Sequence, residues 1–315
     1  MARAFTFPGQ GSQAVGMGKD LADAFPEAKA VFDEVDEALG ESLSSTMWDG
    51  PEDTLTLTAN AQPALMAVSL AVVAVLKAKG HTVAGSAAYV AGHSLGEYSA
   101  LAAAESLTIA DTARLLRLRG RAMQEAVPVG QGAMAALLGL SVDQASQIAA
   151  EASQTGVCDV ANDNATGQVV LSGAKEAVDK AIDLAKAAGS KRAILLPVSA
   201  PFHCRLMQPA ADKMAEALAA TAIKTPSVPL VSNVLADAIT DPDAIRTRLV
   251  EQVTGTVRWR ESVEWLAGQG VSTLVELGSG KVLSGLVRRI DRSLAAIAVG
   301  GPGDIDGLIE TLSDQ

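Results

Sequence analysis

Short apolar runs alternate along this chain with longer stretches in which apolar residues recur every three or four positions. That is the signature of strands interleaved with helices. Strands are expected at residues 4–7, at the run that begins Tyr89-Val90-Ala91, and at 229–232, 273–277 and 295–299. Helical periodicity covers 21–39, 63–79, 108–126, a stretch ending near 220, then 244–252, 258–267 and the final residues. Between residues 132 and 196 the order changes. Strands at 133–140, 157–161, 168–172 and 192–196 enclose helices at 142–153 and 175–188, the first capped by Ser141 with Gln144 three residues on. Strand-helix-strand-strand-helix-strand is the ferredoxin-like arrangement. The chain therefore reads as an α/β protein: a large subdomain, 1–130 and 197–315, with a ferredoxin-like small subdomain, 131–196, inserted and a cleft between them.

Composition narrows the picture. Of 315 residues, 49% are hydrophobic and 19% charged, but only 3% are aromatic. The core must be built from Ala, Val, Leu and Ile, which suits helices packed on a parallel sheet. A net charge of −11 argues against nucleic acid and anionic membranes as partners. The most apolar stretch, 63–76, is too short for a bilayer and reads as a buried helix. The N-terminal residues lack the apolar run of a signal peptide, and Cys158 and Cys204 are far apart and fit no metal spacing. A cytoplasmic location, with no metal and no cofactor, is expected.

Candidate chemistry begins at Gly92-His93-Ser94-Leu95-Gly96, between the strand at Tyr89 and an Ala-rich helix that starts near Glu97. Strand, tight turn and helix around G-x-S-x-G form a nucleophile elbow, which projects the serine hydroxyl and sets free N–H groups of the helix beneath it; a plain capping turn is the alternative. Pro8-Gly9-Gln10-Gly11-Ser12-Gln13 is a glycine-rich loop without the lysine of a phosphate-binding loop, so it is either a close backbone approach to a ligand or a turn. In helix 108–126, capped by Thr108, the wheel puts Arg114, Arg117 and Arg121 on one exposed stripe, but Arg119 about 140° away on the apolar face. An arginine there either pairs with a core carboxylate or forks onto a substrate carboxylate.

A serine nucleophile needs a base, and only three histidines exist. His93 adjoins Ser94 and points elsewhere, and His81 sits in a loop. His203, in Ser199-Ala200-Pro201-Phe202-His203-Cys204 at the start of a helix, is the candidate base, against a capping or core role. Its neighbour Cys204 reads as a buried structural thiol. No acid announces itself as a third triad member, and a backbone carbonyl would serve a site that binds an anion better.

These motifs, with Phe7-Pro8-Gly9-Gln10-Gly11-Ser12-Gln13, Glu97-Tyr98-Ser99 and Arg119-Gly120-Arg121-Ala122-Met123-Gln124, resemble the malonyl-CoA:acyl-carrier-protein transacylases of dissociated fatty acid synthesis. The acyltransferase domains of polyketide synthases share them. The resemblance runs from the N-terminal loop past Gly278-Ser279-Gly280. It implies a hydrolase-like large subdomain and transfer of malonyl from malonyl-CoA to the phosphopantetheine thiol of acyl carrier protein through a malonyl-serine. Position by position it implies Ser94 as nucleophile, His203 as base, the N–H groups of Gln10 and Leu95 as oxyanion hole, and Arg119 as the malonyl clamp. It further implies Gln252 as the carbonyl that orients His203, with Gly11, Asn162 and Asn233 along the cleft. Phe202 stands where many fatty-acid members carry serine, as in malonyl-selective polyketide enzymes, and would crowd a substituted acyl α-carbon. A serine thioesterase, a malonyl transferase of a polyketide or malonate decarboxylase system, and a non-enzymatic scaffold are the competing readings.

Overall fold

The computed structural model describes residues 2–313. The first part of the chain forms β1 (Ala2–Phe7), α1 (Lys19–Ala24), α2 (Pro26–Leu39), α3 (Leu43–Asp49), α4 (Glu52–Thr56), α5 (Thr58–Ala78), α6 (Val83–Ser86), β2 (Tyr89–Gly92), α7 (Gly96–Ala103) and α8 (Ile109–Ala126). There follow β3 (Gly132–Leu138), α9 (Val142–Ala152), β4 (Cys158–Ala165), β5 (Gln168–Ala174), α10 (Lys175–Ala187) and β6 (Arg192–Leu195). A single 3₁₀ turn then leads into α11 (Gln208–Ala219), β7 (Leu230–Ser232), β8 (Asp237–Ile239), α12 (Pro242–Thr254) and α13 (Trp259–Gly268). The chain closes with β9 (Val271–Leu277), α14 (Val282–Ile290), β10 (Ala295–Val299) and α15 (Pro302–Ser313).

Two sheets carry the architecture. The six-stranded sheet has the order β10-β9-β1-β2-β7-β8, parallel except for β8, which pairs antiparallel with β7. Alternation along β1 supplies both faces: Phe5 and Phe7 enter the main core with α2, α5 and α8, whereas Ala4 enters a second core with Trp259 and Val263 of α13 and Leu283, Leu286 and Val287 of α14. The four-stranded sheet is antiparallel, in the order β4-β5-β3-β6. Ala135, Leu137, Val169 and Leu171 on one of its faces pack with α9 and α10, and Met134 and Val170 from the other face join the main core.

Several elements depart from the sequence pattern. The helix expected over 21–39 breaks at Phe25, which is extended because Pro26 follows and opens α2. The apolar helix expected over 63–79 starts five residues earlier, so α5 has 21 residues. By length and composition α5 resembles a membrane span, but 78% of its most apolar window is buried inside the protein. Each fully enclosed Leu, Met or Val there contributes about 1.5–3 kcal/mol. Strand β4 runs on to Ala165 through two bulges, and β8 adds a short strand where the sequence pattern predicted none. Arg117 lies off the exposed stripe assigned to it: it is buried against Glu41 and Asn60, since α2 packs over that face of α8.

β1 and β2 are adjacent and in register to their ends, Phe7 opposite Gly92. The glycine-rich loop and the elbow thus leave the carboxyl edge of the sheet side by side, where open α/β sheets bind ligands.

Candidate active site

Ser94 is left-handed, with φ 53°. A non-glycine residue there is strained by about 1–3 kcal/mol and needs surroundings that hold it. Here they are specific. The Ser94 N–H donates to Asn233 Oδ1 at 2.8 Å, and Asn233 Nδ2 donates to the Gly92 carbonyl at 2.7 Å, so one amide spans the turn. Gly92 and Gly96 permit it: a Cβ on Gly92 would lie 1.9 Å from the Gly96 carbonyl, and one on Gly96 would lie 2.2 Å from the Phe7 oxygen. Asn233 is fully buried behind the elbow. It does not line the cleft, because both ends of its side chain are committed to this backbone.

His203 also has a left-handed backbone, φ 57°, and is buried. Its Nε2 lies 2.7 Å from Ser94 Oγ and its Nδ1 lies 2.8 Å from the main-chain oxygen of Gln252. The carbonyl accepts from Nδ1–H, which leaves the Nε2 lone pair facing the serine. Burial, and then the Arg119 charge, lower its pKa to about 3, so the ring is neutral at physiological pH. Among the described residues no carboxylate takes the third place. Asp159 binds the main chain and guanidinium of Arg205, and Asp163 pairs with Arg260.

Arg119 is 1% exposed. Its Nη1 donates to Gln62 Oε1 at 2.8 Å, and its Nη2 donates to Gln252 Oε1 at 2.8 Å and to Ser94 Oγ at 3.0 Å. Its carbon lies 5.8 Å from the centre of the Tyr98 ring. Among the described residues it forms no ion pair, and its Nε–H has no partner. Of the two roles open to an arginine on an apolar helix face, the core salt bridge is not built. The guanidinium is held by neutral amides beside the nucleophile.

Gln10 is exposed in the loop after β1, its side chain donating to Thr58 Oγ1 at 3.1 Å, and Leu95 caps α7 just after the serine. Among the described residues neither backbone N–H donates to another group of the chain. Gly11 follows with φ 103°, its N–H bonded to Gln13 Oε1. Phe202, 8% exposed, packs into the main core beside His203. Asn162 sits on β4, where its backbone bridges Val257, and its side chain makes no hydrogen bond to the elbow. Two residues on, Asn164 Oδ1 lies 2.8 Å from His93 Nε2, tying the elbow to the small sheet.

Three polar residues in this cluster escaped the sequence reading: Gln62, Asn164 and Glu97. Glu97 is fully buried; its Oε2 accepts from Gln252 Nε2 at 2.5 Å, and burial raises its pKa to about 7. A signal existed. Gln62 is the one amide in the apolar stretch 61–76, and Glu97 is a lone charge on a helix otherwise of small and apolar residues.

The geometry is that of acyl transfer through serine, and comparison with known proteins agrees. The acyl transferase domain family matches residues 4–297. The malonyl CoA-acyl carrier protein transacylase of Bacillus subtilis is 48% identical over 99% of this chain and 98% of its own, and that of Escherichia coli K12 is 47% identical over 98% of each. The acyl-carrier-protein-S-malonyltransferase of Bartonella henselae superposes with TM-score 0.97 at 54% identity, over 99% of both chains. A malonyl-transacylase solved in complex with its type II polyketide acyl-carrier protein superposes at 0.95 with 44% identity, over 99% of this chain and all of its own. With one family spanning nearly the whole chain and relatives this close along its full length, the chain belongs to the acyl transferase family.

Proposed function

We propose that this chain transfers the malonyl group of malonyl-CoA to the phosphopantetheine thiol of acyl carrier protein, supplying fatty acid elongation. The observation that carries the reading is Arg119, a buried guanidinium within hydrogen-bond reach of the Ser94 hydroxyl and without a carboxylate of its own. An acyl group bonded to Ser94 Oγ that ends in a carboxylate would complete it. Arg–carboxylate pairing is bidentate and charge-assisted, so a neutral acyl group leaves the guanidinium without a carboxylate partner.

The steps follow from the distances. His203 Nε2 takes the Ser94 proton as Oγ attacks the thioester carbonyl, and the Oγ–C bond forms. The oxyanion faces the free N–H groups of Gln10 and Leu95 and the N-terminus of α7, donors aimed before the charge develops. The intermediate collapses, the C–S bond breaks, and the coenzyme A thiolate recovers the proton from His203. The carrier's thiol then reverses the sequence, giving up its proton to His203 and leaving with the malonyl group. Phe202 beside His203 would crowd a substituted acyl α-carbon, and a location in the cytoplasm fits two free, buried cysteines.

Mass spectrometry after mixing the protein with malonyl-CoA alone tests this. A malonyl increment on Ser94, absent from Ser94→Ala, is the expected result. Rapid release of free malonate without a carrier would instead identify a thioesterase.

A further inference from the structure

We propose that Glu97 is a positioning residue for acyl selection: its carboxylate sets which way round the Gln252 side-chain amide lies, and so holds the Arg119 guanidinium against the nucleophile. This rests on Arg119 serving as the clamp for the malonyl carboxylate.

Gln252 stands between the two charges. Its Oε1 accepts from Arg119 Nη2, and its Nε2 donates to Glu97 Oε2 and, at 2.9 Å, to the Ser94 carbonyl. An amide can be reversed in place, and its partners dictate the outcome. Reversed, Nε2 would face the guanidinium, donor against donor, and Oε1 would face a carboxylate and a carbonyl, acceptor against two acceptors. Glu97 is the charged member of that set, and a buried carboxylate is acceptor-only, so the cost of reversal is largest while it stays ionised. Besides Gln252, Arg119 is anchored on Gln62, with Ser94 Oγ and the Tyr98 ring against it. The groups that face Glu97 and bear on its charge are Arg119 from α8 and Tyr98 from its own helix; Gln252, Ser232 and Asn233 add neutral contacts. The base is served separately, since His203 leans on the main-chain oxygen of Gln252, which is fixed by α12 whichever way the side chain turns.

The test is acylation of Ser94 by malonyl-CoA and by acetyl-CoA, each as kcat/KM between pH 5 and 8.5, in the wild type and in Glu97→Gln. The variant is expected to lose about tenfold in malonyl kcat/KM, the net contribution of one charge-assisted hydrogen bond, while acetyl kcat/KM stays within about twofold. In the wild type the malonyl rate should rise with pH through about 7, as Glu97 ionises, and the acetyl rate should not; His203, at about 3, contributes nothing to that limb. The limb should vanish in Glu97→Gln. Equal losses for both substrates, or no loss, would overturn the proposal. Should the variant not fold, the wild-type profiles decide: a flat malonyl profile, or one limb common to both substrates, overturns it. A wild type that never acylates Ser94 with malonyl refutes the function and not this coupling.

Discussion

At the residue scale the site is a contest over one guanidinium. Its neutral anchors, Gln62 and Gln252, place Arg119 without neutralising it, and burial lowers its pKa while Tyr98 and Glu97 oppose the shift. Arg119→Ala should therefore lose malonyl preference by a factor of about 100, the scale of a charge-assisted pair, and gain acetyl transfer in a competition assay with both thioesters. Unchanged selectivity would remove Arg119 from substrate recognition. Much of this was legible from the chain. A helix wheel separates Arg119 from its neighbours because periodicity is a local property. The amide of Gln62 and the carboxylate of Glu97 were not legible as partners, since Gln62 acquires its role through Arg119, 57 positions away along the chain, and Glu97 through Gln252, 155 positions away.

At the scale of elements, the elbow is a strand end and a helix start locked together by a third segment. Asn233, on the turn after β7, is the lock. Asn233→Ala would leave the Ser94 N–H and the Gly92 carbonyl buried and unpaired, at a cost of about 2–4 kcal/mol, read as a lower urea midpoint. It should also slow acylation of Ser94 more than tenfold, because the left-handed serine relaxes once its N–H is free. A variant of full activity and stability would show the glycines alone suffice. Strand, turn and helix at residues 89–103 could be read in sequence because G-x-S-x-G carries its own local geometry. The extension of β4 to Ala165 could not: its bulges depend on β5 and on Val257, which lie outside any local window.

For the whole molecule, β4 is the element that belongs to both halves. Within its own sheet it pairs with β5, and along its other edge Val257 N donates to Ala161 O at 2.8 Å while Asp163 N donates to Val257 O at 3.0 Å. Arg260 of α13 adds an ion pair to Asp163 at 2.8 Å. Burial holds the Asp163 carboxyl above its ordinary pKa even with Arg260 beside it, so the pair fixes geometry more than it adds stability. Asp163→Asn is expected to cost about 1–2 kcal/mol and to raise hydrogen exchange at Ala161–Asp163 and Val257, with α9 and α10 unaffected; uniform loss of protection would mean the two halves unfold as one. The inserted sheet was visible in the element order, but its attachment was not, because a bridge between residues 162 and 257 leaves no periodic trace. The consequence reaches into protein engineering. Exchanging residues 132–195 for those of a relative replaces more than a self-contained second sheet. The graft brings its own edge for Val257 and its own acceptor for His93, and so meets the nucleophile from behind, through the turn that carries it.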